Sequence, residues 1–474
     1  MSEELSRLSA TELAARIRTG ELSASEALEA HWARIDRVNP LINAVIFEDR
    51  DLAFAAARAA DERQAAGERL GPLHGVPMTN KDTNETAGMP NTWGSPLLTH
   101  VVPTEDSIIV ARLRAAGAIM TGKSNVPEFA AGAHTFNEVY GTTVNPYDPS
   151  RSAGGSSGGA AAAIAAGIQP FGDGSDMGGS LRVPASFCNL VGLRPSRGRV
   201  PSVRPNSWEW LGRAGAMARE ATDLALVMNV ISGPDPRVPI SIQERVDFLD
   251  GLGGGVSGLR IGWAPDAGIG IPIEAEVVAI AERAALALAD AGAIVETAAP
   301  NIAEADSVFV ETRAFDYELA LGALVRSAPE KVKAEVRENV ALGERQTAAQ
   351  LRALALARTR LEGEVRSYFD DYDLWITPTA QTLPFDASLR YPSEVAGVPM
   401  PDYLGWMRSV CVVSAMDVPA ISVPAGFSAE GLPVGVQIVA PHGGEALLLR
   451  AARVLEELVG AGRVPPRFGA EERA

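Results

Sequence analysis

The sequence contains few of the residues that build disulfide frameworks, zinc sites and histidine-based active sites. Only two cysteines and five histidines occur among its 474 residues. Two cysteines cannot form a disulfide framework or a zinc site in a chain of this length, so Cys188 and Cys411 are expected to be buried free thiols. The scarcity of histidine also disfavours a Ser-His-Asp triad.

Long apolar runs and clusters of positive charge are missing as well. The longest run of small and apolar residues, Gly159 to Ile168, is far shorter than the roughly 20 residues that span a membrane. The N-terminal stretch is acidic and has no signal-peptide core. Lysine and arginine number 42 against 59 aspartates and glutamates, a net charge of −17, and no basic block could bind a phosphate backbone. We therefore expect a cytoplasmic protein without membrane or nucleic-acid partners.

What remains has the composition of a globular protein, with 46% hydrophobic and 21% charged residues. Residues 1–67 show helical periodicity, and Ser9 with Glu12 and Ser23 with Glu26 have the spacing of capping boxes. From Gly71 onward, short strand-like runs alternate with helical ones, which favours α/β layers around a mixed sheet. Strands are predicted at AIMTG, LRIGWA, LWITPT, PAISVPAG and VGVQIVA, and helices at DSIIVARLRAAG, AAAAIAAG, 221–231, 275–291, within 303–371 and at 445–458.

Three short motifs match nucleotide or hydrolase patterns in the wrong structural context. Residues 117–124 (GAIMTGKS) fit a P-loop, but a predicted helix precedes them and they read as a strand. Residues 253–258 (GGGVSG) fit GxGxxG, but a strand follows where a helix should open. Residues 154–158 (GGSSG) fit GxSxG, but a proline-broken loop precedes them and the only later histidine is His442.

Lysine is rare enough that each one invites an explanation. The chain has four, Lys81, Lys123, Lys331 and Lys333, and the other 38 basic residues are arginine. A serine nucleophile needs a base, and lysine can serve when its ammonium is disfavoured, whereas arginine cannot lose its proton. Lys81, in HGVPMTNKDT, therefore suggests a neutral amine, with a plain salt bridge to Asp82 or another carboxylate as the alternative. Lys331 and Lys333 are expected on a solvated helix face.

Three segments taken in order resemble the amidase signature family of Ser-Ser-Lys hydrolases. They are HGVPMTNKDT around Lys81, GGSSGG at 154–159 and GDGSDMGGSLRVPA at 172–185. The segments around Arg219 to Asp223 and the C-terminal VPAISVPAG and GLPVGVQIVAP extend the resemblance over most of the chain. It implies an α/β/α sandwich with a large mixed β-sheet covered by helices. A single catalytic domain would cover residues 68–474, with 1–67 packed on it and a variable, substrate-determining region at about 205–345.

The resemblance also implies catalytic roles. Ser180 falls on the family's nucleophile, Ser156 on the serine that follows a cis peptide bond and relays a proton, and Lys81 on the base. The main-chain N–H groups of Met177, Gly178, Gly179 and Ser180 would form the oxyanion hole. The residues agree with this, because glycines before a nucleophile leave no Cβ in the way of converging N–H groups, and a helix N-terminus after Ser156 favours an oxyanion and a neutral lysine.

Several neighbouring residues keep two interpretations. The chemistry alone does not choose between Ser156 and Ser157. Asp176 and Arg182 form either a loop-fixing ion pair or contacts to substrate, and Gly154, Gly155, Trp208 and Trp210 are tentative substrate contacts. Trp208 and Trp210 lie in a loop that is hard to bury fully, but aromatic side chains more often belong to the core. His74, Ser175 and Cys188 are interpreted as structural.

The sequence thus predicts an amidohydrolase that cleaves the C–N bond of an amide, aryl amide, carbamate or related substrate through a serine acyl-enzyme. No metal and no organic cofactor are expected. The alternatives are a glutaminase subunit of a tRNA-dependent amidotransferase and a non-catalytic binding module. The expected partner is a small amide-type substrate, and a homodimer through the N-terminal helices remains open.

Overall fold

The computed structural model describes residues 2–460 as fourteen α-helices and fifteen β-strands. The helices are α1 Ser2–Leu5, α2 Ala10–Thr19, α3 Ala24–Ile42, α4 Arg50–Ala65, α5 Ile108–Ala115, α6 Gly158–Ala165, α7 Arg182–Phe187, α8 Ala221–Ile231, α9 Ala275–Asp290, α10 Ala305–Ser327, α11 Ala334–Glu344, α12 Ala348–Asp371, α13 Arg408–Ala415 and α14 Glu445–Val459. The strands are β1 Val45–Glu48, β2 Pro77–Lys81, β3 Ile119–Ser124, β4 Phe136–Asn137, β5 Gly141–Thr142, β6 Phe171–Asp176, β7 Val191–Arg194, β8 Arg213–Ala218, β9 Arg260–Trp263, β10 Ile294–Thr297, β11 Leu374–Pro378, β12 Glu394–Val395, β13 Val398–Pro399, β14 Ala420–Phe427 and β15 Pro433–Val439.

An eight-stranded mixed sheet forms the centre of the molecule, in the order β10-β9-β11-β15-β14-β7-β8-β6. β10, β9 and β11 run parallel, and the remaining pairs are antiparallel. Side chains alternate between its faces. Ile376 shares one core with α8, α9 and α14, whereas Trp375 shares the other with α10, α12 and α13. Helices therefore cover both faces, which confirms the predicted α/β/α sandwich.

A smaller sheet, in the order β1-β3-β2, carries Lys81 at the end of β2. β2 is parallel to β3 and lies beside β6 at the edge of the large sheet. β1 pairs antiparallel with β3, so the expectation that residues 1–67 are helical throughout is wrong at Val45–Glu48. The β-branched and aromatic residues of VIFE fit a strand, which pairs with β3 along one edge.

The capping boxes predicted for the first two long helices are both present. Ser9 and Glu12 exchange side-chain bonds with each other's main-chain N–H at the start of α2, and Ser23 and Glu26 do so at the start of α3. α6 is buried along its whole length, as its composition of small residues requires. No helix within residues 2–460 is long and apolar enough to cross a membrane.

Candidate active site

Lys81 is the last residue of β2, and its side chain is fully buried. Its Nζ donates hydrogen bonds of 2.9 Å to the hydroxyls of Ser156, Ser157 and Ser175. The alternative of a salt bridge with Asp82 is wrong, because the Asp82 carboxylate instead accepts hydrogen bonds from Thr92. Burial lowers the pKa of the Lys81 ammonium to about 7, even though Asp173 and Asp176 oppose the shift.

The two adjacent serines lie in the turn that leads into α6, after a cis peptide bond between Gly155 and Ser156. The main-chain N–H of Ser157 donates to the carbonyl oxygen of Ser180 at 3.2 Å, which ties this turn to the segment of the predicted nucleophile. The Ser157 hydroxyl also points at the carbonyl oxygen of Ser175, at 3.5 Å. Within residues 2–460, the Ser156 hydroxyl has no such additional acceptor.

Ser180 follows β6 in a tight glycine turn and is 7% exposed. Gly179 adopts a φ of +92°, a conformation that favours glycine. In the part of the chain that the structure describes, the hydroxyls of Ser156 and Ser180 are not hydrogen-bonded to each other. The structure therefore brings Lys81 to Ser156 directly, and Ser180 to the same turn through the main chain of Ser157.

The main-chain N–H groups of the predicted oxyanion hole differ in their partners. The N–H of Gly179 donates to the Asp176 carboxylate at 2.9 Å. Within residues 2–460, no protein acceptor lies within hydrogen-bond reach of the main-chain N–H groups of Met177, Gly178 and Ser180. Three of the four predicted donors thus remain available, and Gly179 is bound within the protein.

Asp176 and Arg182 form a fully buried ion pair at 3.0 Å, which is the loop-fixing alternative of the two interpretations. Arg194 approaches the same carboxylate at 3.5 Å. Burial alone would raise the pKa of Asp176, but the two guanidinium groups outweigh it and hold the pKa well below the usual range. Arg182 also donates to Gln437 at 2.7 Å. The pair fastens the glycine turn to the large sheet.

Gly154 and Gly155, the other tentative substrate contacts in this region, are buried in close main-chain contacts. Gly154 has a φ of +76°, and a Cβ there would lie 2.8 Å from the Cα of Pro184. A Cβ on Gly155 would lie 3.0 Å from the main-chain nitrogen of His134. Both glycines therefore serve the close approach of neighbouring segments.

The loop that contains Trp208 and Trp210 has one exposed and one buried tryptophan. Trp208 is 87% exposed and Trp210 is 6% exposed. The guanidinium of Arg358 lies 3.9 Å from the centre of the Trp210 ring. The expectation that both side chains are hard to bury is wrong for Trp210, which cation–π contact and helix packing enclose.

Lys333 corrects a second expectation. It precedes α11 instead of lying on its solvated face, and its Nζ donates to the carbonyl oxygen of Ala131. Burial lowers the pKa of Lys333 to about 8. Lys331 is exposed, as expected.

The sequence does not predict two residues that contact Lys81. Ser175 was interpreted as structural, yet its hydroxyl accepts a hydrogen bond from Lys81. Asp173 accepts the main-chain N–H of Lys81 at 2.9 Å. Both lie on β6, two residues apart and therefore on one face of the strand. The spacing in GDGSD was the signal that could have found them.

The remaining predictions concern structural residues and motifs. Cys188 and Cys411 are buried free thiols, as predicted. The Nε2 of His74 donates a hydrogen bond to the carbonyl oxygen of Ala60, 3.0 Å away, as a packed structural residue. The P-loop-like motif forms the buried strand β3. Over residues 2–460, no group of three or more His, Cys, Asp or Glu side chains is arranged to hold a metal ion.

Comparisons with known proteins agree with this geometry. The family described as Amidase matches residues 26–449. An acylamidase from Rhodococcus erythropolis is 36% identical over 96% of both chains, and a glutamyl-tRNA(Gln) amidotransferase subunit from Moorella thermoacetica is 37% identical over 98% of this chain and 99% of its own. The crystal structure of a bacterial aryl acylamidase of the amidase signature family superposes with a TM-score of 0.92 at 28% identity, covering 98% of this chain and 99% of that one.

The fold and the comparisons are those of hydrolases that cleave carbon–nitrogen bonds. The chain belongs to the amidase signature family, and it is an amide-hydrolysing enzyme.

Proposed function

We propose that Ser180 attacks the substrate carbonyl and that Lys81, as a neutral amine, accepts its proton through Ser156. The Ser180 proton passes to the Ser156 oxygen while the Ser156 proton passes to Nζ of Lys81. The new C–O bond yields a tetrahedral intermediate, which collapses when the C–N bond breaks and the proton returns through Ser156 to the leaving nitrogen. Water then hydrolyses the acyl-enzyme by the same relay.

The observation that carries this proposal is the buried amine of Lys81, which has three hydroxyl partners and, within residues 2–460, no ion pair. A pKa of about 7 leaves much of this amine neutral near pH 7. Ser156 is favoured over Ser157 as the relay, because the Ser157 hydroxyl is also directed at the carbonyl oxygen of Ser175. The contact between the hydroxyls of Ser156 and Ser180 forms in the substrate complex, since catalytic hydrogen bonds often tighten only there.

The oxyanion in this proposal is held by the main-chain N–H groups of Met177, Gly178 and Ser180. Gly179, the fourth donor of the family pattern, holds the turn through Asp176 instead. Donors fixed before the reaction stabilise the developing charge without reorganisation, and each is typically worth about 10²- to 10³-fold in rate.

For the substrate, we propose acyl amides and aryl amides, with hydrolysis by this chain without a second protein. The acylamidase and the aryl acylamidase cover nearly the full length of the chain and support this choice. The glutaminase alternative is kept because the amidotransferase relative is equally similar in sequence. A glutaminase would release ammonia from glutamine, and its activity would depend on a second subunit.

The test combines covalent labelling with a substrate panel. A sulfonyl fluoride should inactivate the enzyme and label Ser180, located by mass spectrometry, and Ser180→Ala should remain folded but lose both labelling and turnover. Purified alone, the wild type should hydrolyse p-nitroanilides and anilides faster than it deamidates glutamine. A label on another serine, or an active Ser180→Ala enzyme, would refute the assignment.

A further inference from the structure

A second buried lysine, Lys123, lies on the strand next to Lys81. The parallel register of β2 and β3 pairs Asn80 with Lys123 and Lys81 with Ser124. Paired residues point to the same face of a sheet and successive residues alternate, so Lys81 and Lys123 project from opposite faces. Lys123 is fully buried, and its Nζ donates to the carbonyl oxygen of Asn84 at 2.6 Å.

Two buried carboxylates lie around this pair of lysines. Asp173 accepts the main-chain N–H of Lys81 at 2.9 Å and the side-chain amide of Asn84 at 2.6 Å. Asp82 follows Lys81 in the chain, and its carboxylate accepts the hydroxyl of Thr92 at 2.5 Å. Asn84 thus connects the Lys123 ammonium to the Asp173 carboxylate through two hydrogen bonds.

Asp173 opposes the chemistry required of Lys81, because a nearby negative charge stabilises an ammonium, and an ammonium cannot accept a proton. Burial raises the pKa of Asp173, and the hydrogen bond from Asn84 and the positive charge of Lys123 counteract this rise. Lys123 therefore acts on the same carboxylate that would otherwise hold a proton on Lys81. Its charge also counteracts the rise that burial causes in the pKa of Asp82.

We propose that Lys123 is a positioning residue that supplies a counter-charge to Asp173, so that the Lys81 amine can remain neutral. This inference rests on the proposed role of Lys81 as the base. With Lys123 charged, Asp173 already has a cation linked to it through Asn84. Without Lys123, the amine of Lys81 becomes the cation available to this carboxylate.

Further charged groups lie around the two lysines. Lys81 also faces Asp176, but Arg182 and Arg194 neutralise that carboxylate, and Arg204 repels the ammonium form. The carboxylates of Glu85 and Asp106 also interact electrostatically with the Lys123 ammonium. Asp106 already pairs with Arg114.

The test is the pH dependence of kcat/KM in charge variants. Lys123→Gln keeps a donor for the Asn84 carbonyl but removes the charge, and should move the acid limb up by about one pH unit, the size of shift that a single nearby charge produces at an effective dielectric constant of about 20. At pH 9.5 its kcat/KM should approach that of the wild type. Lys123→Arg should keep the wild-type midpoint. Asp173→Asn should move the limb in the opposite direction, because it removes an attraction for the Lys81 ammonium.

The double variant Lys123→Gln/Asp173→Asn provides the decisive comparison, since it should return the midpoint toward the wild type. General structural damage would not produce shifts of opposite sign that cancel. Inactivation by a sulfonyl fluoride as a function of pH gives the same midpoint where turnover is slow, and Lys331→Gln, an exposed lysine, is the control. An unchanged midpoint in Lys123→Gln overturns this inference alone, whereas a wild type without an acid limb near pH 7 overturns the role of Lys81.

Discussion

At the scale of single residues, the use of lysine in this chain is selective. Three of its four lysines carry a lowered pKa because they are buried: Lys81, Lys123 and Lys333. An arginine in these places would stay charged at any pH that a folded protein meets. Lys81 can therefore reach the neutral form that its proposed role requires, whereas Lys123 keeps its charge in the role proposed for it, and Lys331 is exposed.

The pKa of Lys81 predicts the pH dependence of the enzyme. The base must be neutral, and a pKa of about 7 means that the protonated form dominates below that pH. The wild-type kcat/KM should therefore fall about tenfold per pH unit below 7 and level off above it. Lys81→Arg cannot reach the neutral form and should lose about 10²- to 10⁴-fold in kcat/KM at every pH.

Initial rates on one p-nitroanilide between pH 5 and 9.5 measure both effects. Lys331→Arg makes the same substitution at an exposed position and should leave the profile unchanged. A Lys81→Arg enzyme that keeps wild-type activity would show that the amine acts only as a structural hydrogen-bond donor.

At the scale of elements, the two glycines in the turn between β6 and α7 have no room for a side chain. A Cβ on Gly179 would lie 2.4 Å from Cγ2 of Val410, and one on Gly178 would lie 2.7 Å from Cζ of Phe309. Neighbouring helices α10 and α13 thus press directly on the segment that carries the nucleophile. The glycines are required by this close approach as well as by the orientation of the N–H groups.

Gly179→Ala should damage both stability and catalysis. The added Cβ meets Val410, and the φ of +92° is strained for alanine, at a cost of about 1 to 3 kcal/mol. Displacement of the turn moves the N–H groups of Met177, Gly178 and Ser180, so kcat/KM should fall by about 10²-fold or more. Thermal unfolding and steady-state kinetics measure the two effects.

Gly363→Ala is the matched control, because this glycine lies in α12 with no atom within 4 Å of an added Cβ. It should stabilise the protein by up to about 1 kcal/mol through helix propensity and leave kcat/KM unchanged. Wild-type kinetics in Gly179→Ala would argue against a tightly fixed oxyanion turn.

Elements with strong local signals could be predicted from the sequence, and those defined by distant contacts could not. Capping boxes marked the starts of α2 and α3 within a few residues. The sequence does not predict β1, because four residues between two helices become a strand only by pairing with β3. Lys333 was misplaced because its charged surroundings hid the spacing of Val332, Val336 and Val340, which share a buried cluster. The family resemblance indicated Lys81, Ser156 and Ser180, but not Asp173, which reaches Lys81 only through the fold.

At the scale of the whole molecule, the N-terminal segment is built into the sheet that carries Lys81. β1 pairs with β3, and β3 pairs with β2. Asp223 at the start of α8 accepts the main-chain N–H groups of Ala10 at 2.6 Å and Thr11 at 2.9 Å, which fastens α2 to the helices over the large sheet. We therefore propose that residues 1–67 and the main domain unfold as one unit, although the sequence divides them at residue 67.

Asp223→Asn tests this proposal, because it replaces one of two acceptor oxygens by an amide that cannot accept. A buried N–H of α2 then loses its partner, at a cost of about 1 to 3 kcal/mol. If the segment and the main domain are one cooperative unit, calorimetry should show a single transition that moves to lower temperature as a whole. Asp290→Asn, an exposed change at the end of α9, should leave the transition in place. A separate early transition, with the main transition unmoved, would instead make residues 1–67 an independent domain, and the active site would then depend on β1 less than the strand pairing indicates.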